Sequence, residues 1–213
     1  MLFSSKSKSR TVHHYHEERD KENGEDSGEA STSLTVWTKS LLYGCSGFSV
    51  IGSDGGLAYR VDNYSCRPDH TVLMDGSGNP IFTICRRKKL GLLDYWLVYE
   101  GDVCKHSNNE SMKPMFYARK NMSLRQTKVD DVLAYIYCGM SEKRCMYVVE
   151  GSFRHRSCKI LGESGRAVAE IKKKEAMSKG ASFGLEVFDL VTKPGFHCRF
   201  AMAIVLLLDQ MYS

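Results

Sequence analysis

Three clusters of cationic side chains offer the clearest chemistry in this sequence: the run Arg86-Arg87-Lys88-Lys89, the run Lys172-Lys173-Lys174, and Arg154 and Arg156 on either side of His155. Closely spaced Lys and Arg neutralise phosphates, Arg with two parallel hydrogen bonds at once, so the ligand class they would serve is an anionic lipid headgroup. If these runs lie on strands, alternation sends at most half of each to one face. The competing job for such charges is to solubilise hairpin ends and keep strand edges from pairing. The two longer runs follow corresponding strands of an internal repeat, and they either flank one rim or sit on opposite sides.

Other chemistries find less support. The cysteines (Cys45, Cys66, Cys85, Cys104, Cys138, Cys145, Cys158 and Cys198) form no CxxC pair and no repeated short spacing, so no zinc site is expected. The first residues, Met1-Leu-Phe-Ser-Ser-Lys, lack the apolar core of a signal peptide, so reduced, mostly buried thiols are expected, and the sequons at Asn63, Asn109 and Asn121 read as chance. His13, His14 and His16 lie in a polar stretch without supporting partners, and the adjacent pair Asp130-Asp131 reads as a turn or cap. Gly162-Glu-Ser-Gly-Arg166 lacks the last glycine of a nucleophile elbow, and no segment matches a phosphate loop or a dinucleotide fingerprint. A binding or signalling module is expected, neither an enzyme nor a cofactor protein.

The elements that must position the cations follow from hydrophobic patterning. Residues 1–33 are polar, slightly acidic and nearly free of large apolar groups, so they cannot repay the entropy of ordering and are expected to form a disordered tail. The formal charge of +5 is therefore carried, and exceeded, by the domain expected over 34–213. From Leu34 onwards short β-branched and aromatic runs alternate with Gly and Asp turns: 34–37, 48–51, 58–61, 71–74, 81–85 and 95–99, then 115–119, 129–137, 147–153 and 158–161. Three segments, 51–61, 74–84 and 161–171, repeat the order strand, glycine turn, strand, with an acidic or hydroxyl residue before the glycine. Such residues bond the local backbone while the glycine takes positive φ, the chemistry of a tight hairpin.

After Pro194-Gly195 the chain runs from Phe196 to Tyr212 without a turn signal and reads as a helix. It is apolar on every side from Phe200 to Leu208, so it must be enclosed. A bilayer span needs about 20 apolar residues, and this stretch is too short and is flanked by Arg199 and Asp209, so burial is expected and a transmembrane span is not. Many short antiparallel strands closed around that helix would remove their own edges and fill their interior.

Several motifs in order resemble the plant LURP-one-related family: Leu34-Thr-Val-Trp-Thr-Lys-Ser-Leu-Leu42, Gly47-Phe-Ser-Val50, Tyr59-Arg-Val-Asp-Asn-Tyr64, Val72-Leu-Met-Asp-Gly-Ser-Gly78, Gly151-Ser-Phe153 with Arg156-Ser-Cys158, Val168-Ala-Glu-Ile-Lys172, and the ending from Pro194 to Asp209. The resemblance implies a tubby-like closed barrel of about twelve antiparallel strands around a hydrophobic C-terminal helix, shared with tubby proteins and phospholipid scramblases. It further implies a role in plant defence and, through the tubby kinship, a phosphoinositide-tethered regulator of transcription. The sequence departs from the family near Cys45 and in the polar stretch 105–109.

Three functions are carried forward: a lipid-tethered signalling module using phosphoinositide headgroups, an interaction scaffold for unknown protein partners, and, last, an enzyme using the barrel mouth. Scramblase activity ranks below simple binding because no series of calcium-ligating oxygens occurs. Direct nucleic-acid binding is not expected, since no basic helix is available for a groove. A cytoplasmic protein, peripheral at the plasma membrane or nuclear, fits these expectations.

Overall fold

The computed structural model describes residues 30–63, 70–88, 94–103, 112–122, 132–139, 144–175 and 183–212. Residues 1–29 of the expected tail, with His13, His14 and His16, and Cys66, Lys89, Cys104, Asn109 and Asp130-Asp131 lie outside the described residues, while Thr32 and Ser33, expected in the tail, begin the first strand and pair with Thr192 and Val191. The strands are β1 (Thr32–Trp37), β2 (Ser46–Ile51), β3 (Leu57–Asn63), β4 (His70–Asp75), β5 (Pro80–Lys88) and β6 (Asp94–Glu100), followed by β7 (Phe116–Lys120), β8 (Val132–Cys138), β9 (Cys145–Ser152), β10 (Ser157–Leu161), β11 (Ala167–Lys173) and β12 (Val187–Thr192). A single helix, α1 (Cys198–Tyr212), ends the chain.

Each strand pairs antiparallel with the next, and β1 pairs with β12 through six aligned residues from Thr32↔Thr192 to Trp37↔Val187, closing a twelve-stranded barrel. Closure removes every free edge, the usual liability of a long antiparallel sheet. Side chains alternate as the pleat requires. On β6, for example, Trp96 and Val98 join the core while Tyr95 and Tyr99 face outward.

Helix α1 occupies the barrel interior. Every residue from Ala201 to Leu208 is buried, as is Met211. They pack on Val36, Val50, Leu73, Ile84, Ala118, Val149, Ile160 and Leu190 from strands around the whole ring. The helix needs no polar face because it has no solvent side, and no helix among the described residues is long and apolar enough to cross a membrane.

Up-and-down topology gives the barrel two distinct ends. Odd strands finish, and even strands start, at what is here termed the upper end; the reverse holds at the lower end. Because β12 is even, α1 starts at the lower end, where Phe200 stacks on Phe82 at 5.4 Å and meets Phe116 edge-on at 5.3 Å. It finishes at the upper end, where Tyr212 Oη donates to Leu133 O at 2.8 Å and Gln210 Nε2 donates to Thr71 Oγ1 at 2.7 Å.

The three repeated hairpins all lie at the lower end and share one geometry. Gly52 N donates to Gly56 O and Gly55 N to Gly52 O; Asp75 and Gly78, then Gly162 and Gly165, repeat both bonds at 2.9 to 3.0 Å. The fourth residue of each turn is a glycine at φ +79°, +91° or +71°, a left-handed conformation that costs other residues energy. A bulge follows at the matching step of each hairpin, after Val50, Leu73 and Ile160. Asp54 Oδ1 accepts from Gly56 N and Asp75 Oδ1 from Asn79 N, so the acidic residues do the backbone-bonding work expected of them.

Among the described residues the cysteines are free thiols, with Cys85 and Cys158 buried, Cys45, Cys145 and Cys198 half-buried and Cys138 exposed, which is less burial than the sequence suggests.

Candidate anion-binding end of the barrel

The topology places the basic clusters relative to one another. Arg86-Arg87-Lys88 ends β5, Lys172-Lys173 ends β11 with Lys174 just beyond, and Arg154 and Arg156 form the β9–β10 turn. All are ends of odd strands, so all lie at the upper end. Strands β5 and β11 stand across the ring from each other, whereas the β9–β10 turn is next to β11. The runs thus flank one rim from opposite sides. Lys89 lies outside the described residues.

Alternation divides each run. Arg86 stands opposite Trp96 in the β5–β6 register and shares its inward parity, while Arg87 follows Cys85 on the outer face. Lys173 stands opposite the buried Phe188, and Lys172 and Lys174 point outward.

Pairing divides them further. The Arg86 guanidinium lies 5.8 Å from the Trp96 ring, with its Nε donating to Asp94 Oδ2 at 3.1 Å. Lys172 Nζ reaches Glu170 Oε2 at 2.6 Å and holds that carboxyl below its ordinary range by hydrogen bonding. Lys174 Nζ donates to Asp189 Oδ1 at 2.7 Å and Thr35 Oγ1 at 3.0 Å, tying β11, β12 and β1 together.

Arg156 is a plug in the rim. It is the one non-glycine at positive φ among the described residues, at +52°. Its guanidinium lies 4.4 Å from the Phe153 ring and 4.5 Å from that of Phe188, and its Nε donates to Leu185 O at 2.9 Å. Burial lowers its pKa, partly opposed by the Asp209 carboxylate; an arginine remains charged through such a shift. The remaining cations, Arg87, Lys88, Arg154 and Lys173, are exposed and have no ion-pair partner among the described residues. They are the members of the clusters best placed to meet a phosphate.

Two further upper-end cations escape notice in the sequence because neither belongs to a run. Lys120 Nζ donates to Met211 O at 2.6 Å and lies 4.1 Å from the Tyr212 ring, so it satisfies a carbonyl at the helix C-terminus and opposes the negative end of the helix dipole. Lys39 sits 5.7 Å from the Trp37 ring and pairs at 3.5 Å with Glu186, both side chains being more than half exposed. The signal for Lys39 would have been its place in a short turn beside a closing strand, which only the β1–β12 pairing reveals.

Among the described residues no cluster of His, Cys, Asp and Glu is arranged to hold a metal. The open hollow nearest the basic rim, about 270 Å³ between β9, β10 and β11, is lined by Glu150 and Glu170 as well as by Lys159 and Lys172. Its mixed charge fits no single ion.

The closed twelve-stranded antiparallel barrel around one apolar C-terminal helix defines a class of protein. The chain belongs to the LURP-one-related family, whose sequence pattern matches residues 32–209. It is similar to Protein LURP-one-related 17 of Arabidopsis thaliana, with 49% identity over 192 residues spanning 88% of this chain and 86% of that protein. Protein LURP-one-related 8 of the same plant is 43% identical over 187 residues, covering 86% and 89% of the two chains. The X-ray structure of another Arabidopsis thaliana protein matches with a TM-score of 0.59 at 22% identity over 86% of this chain and 92% of that one, a likeness of fold alone.

Proposed function

We propose that this LURP-one-related barrel is a non-enzymatic binding module that docks its upper end on a phosphoinositide-bearing membrane surface. The observation that carries the reading is the placement at one end of the barrel of exposed cations from separate strands that have no ion-pair partner among the described residues, Arg87 and Lys88 on β5, Lys173 on β11 and Arg154 on the β9–β10 turn. Each basic residue near an anionic bilayer contributes about 1 kcal/mol, so such a group gives salt-sensitive, reversible attachment. A module held in this way could be released by headgroup hydrolysis; a tethered regulator acting in plant defence is the setting that the family resemblance implies.

A second reading, a protein-interaction scaffold, has one observation in its favour. Tyrosines of outward parity ladder across the wall of β6, β7 and β8, half-buried at Tyr95, Tyr117 and Tyr135 and buried at Tyr137, with Tyr95–Tyr117 and Tyr117–Tyr137 ring centroids at 5.6 and 5.7 Å and Arg119 at 5.5 Å from the rings of Tyr135 and Tyr137. Tyrosine and arginine are the residues that anchor protein interfaces.

Co-sedimentation of the full chain with vesicles carrying single phosphoinositides, phosphatidylserine or neutral lipid separates the two readings. Binding that needs anionic lipid and weakens with salt is expected. Indifference to every vesicle would overturn the membrane reading and leave the tyrosine wall as the surface to map.

A further inference from the structure

The upper end also exposes apolar side chains. Among the large hydrophobic residues exposed in the described segments, Trp37, Leu41, Leu42 and Tyr43 lie at the end of β1 and in its turn to β2, and Phe183 and Leu185 precede β12. Met122 follows β7, and Met112 alone falls on a lower-end connection. Leu41 is 56% exposed, Leu185 49%, and Tyr43 fully. Scattered exposed leucines need no explanation, but a contiguous apolar set on one face does.

The residues of the β1–β2 turn lie beside those preceding β12 because β1 closes on β12, whereas Met122, after β7, is across the ring. Thr38 N donates to Glu186 O at 2.9 Å, which brings the β1–β2 turn against the chain preceding β12. The bond from Arg156 to Leu185 O joins both to the β9–β10 turn that carries Arg154.

The β1–β2 turn is built to keep its shape without burying these side chains. Ser40 Oγ bonds to Asp62 Oδ1 and also accepts from Leu42 N at 3.0 Å; Ser49 Oγ donates to Lys39 O at 2.7 Å; and Arg60 pairs with Asp62 at 2.5 Å. Cys45 N donates to Leu42 O at 3.3 Å, closing a turn whose third residue, Gly44, takes φ +75°, the pattern of a type II turn. Polar bonds thus hold the loop while Leu41, Leu42 and Tyr43 project into solvent from its tip. The arrangement is an apolar wedge with the exposed Arg154 and Lys173 on neighbouring upper-end connections and Lys39 at its base paired with Glu186.

We infer that this wedge inserts into the headgroup–acyl boundary of an anionic bilayer, with Leu41, Leu42 and Tyr43 entering the lipid and Trp37 at the interface. Charge complementarity selects the occupant: a bilayer offers an apolar interior directly beneath a layer of phosphates, matching an apolar tip with exposed cations on neighbouring connections. Trp and Tyr are favoured at that boundary, and buried apolar area adds a component that salt does not screen. The inference rests on the proposed membrane docking and adds to it a depth and a salt-resistant part.

Trp37 is the natural reporter, since the other tryptophan, Trp96, is buried in the core. The test uses the full chain and vesicles of phosphatidylcholine with phosphatidylserine or a phosphoinositide, with and without brominated acyl chains. The emission of Trp37 should shift to the blue on binding and be quenched by the brominated chains. The triple variant L41S/L42S/Y43S should keep its fold and lose roughly tenfold or more in vesicle affinity, most clearly at high salt.

If the wild type binds, is not quenched, and the triple variant binds equally well, insertion is overturned while headgroup docking stands. If the wild type ignores every vesicle, both are overturned. A mass measurement showing self-association that the triple variant abolishes would then assign the wedge to a second copy of the chain.

Discussion

The two ends of the barrel are made from the same strands and differ in what their connections are for. At the lower end the three repeated hairpins are short, each closed by two backbone bonds and a left-handed glycine, and two carboxylates there are bonded locally, Asp75 by Asn79 and Glu163 by Arg144 at 2.6 and 2.9 Å, while Arg166 and Lys193 are exposed. Those bonds hold the Asp75 and Glu163 carboxyls below their ordinary range. At the upper end the described connections carry exposed cations and exposed apolar groups together. Tight turns serve folding by fixing register. The upper connections leave charge unpaired and apolar area wet, features that bring no stability to the monomer. The contrast in exposed apolar area is the ground on which the membrane-docking proposal assigns its surface to the upper end.

The helix serves both ends, so Leu206→Asp should abolish the comparison altogether. It would place a carboxylate at a site only 1% exposed, at a cost of several kcal/mol against a total stability of about 5–15 kcal/mol. Loss of the folded circular dichroism spectrum in aqueous buffer is expected; a folded variant would show that the helix is not enclosed.

Arg156→Ala should sharpen the distinction between the structural and the free cations at the upper end. Losing the bond to Leu185 O and the stacking on Phe153 and Phe188 should lower stability by about 2 kcal/mol. Arg154→Ala, two residues away, should leave the denaturation midpoint unchanged. Equal effects on the two midpoints would remove the division made here between plug and ligand.

Lys120→Met should cost about 1 kcal/mol by freeing a carbonyl of the last helical turn, again read by denaturant unfolding. Smaller still, Gly165→Ala at the lower end should cost about 1 kcal/mol or slightly less through its positive φ.

Alkali should destabilise the barrel. Burial raises the Cys158 thiol to about 11 and the Tyr212 phenol to about 12. Both groups lose their protons earlier in the unfolded chain, from about 9 and 10 respectively. The stability they contribute is therefore whole below pH 9 and lost as pH rises towards 12. Unfolding midpoints that hold steady to pH 8.5 and then fall are expected, and a midpoint rising above pH 9 would contradict the sign.

Much of this fold is legible in the sequence because its signals are local. Short β-branched and aromatic runs mark the strands of the first half, and Gly55, Gly78 and, in the second half, Gly165 mark turns at matching places. The apolar run from Phe200 to Leu208 demands enclosure by its lack of a polar side. By contrast β12, Val187–Thr192, has an aspartate in mid-strand and is not among the runs read from the sequence; Asp189 faces outward to meet Lys174 and Thr35, partners that are distant in the chain.

The candidate site was legible as composition but not as arrangement. Whether Arg87 and Lys173 share a rim depends on strand parity counted around a closed ring, and which cations are spent in ion pairs depends on residues such as Asp94 and Asp189 across the sheet. Leu41-Leu42-Tyr43 has the composition of core material. Only the bonds from Ser40 and Ser49 that hold the turn outward reveal its exposure.

The most direct measurement compares matched charge reversals at the two ends: Arg87→Glu with Lys173→Glu at the upper end, and Arg166→Glu with Lys193→Glu at the lower, each assayed for sedimentation with phosphoinositide vesicles and for its unfolding midpoint. The expected result is that the upper set loses binding and the lower set keeps it, with both folded. Retained binding by the upper set, or equal losses at both ends, would contradict the assignment of the membrane-facing surface to the end where the helix finishes.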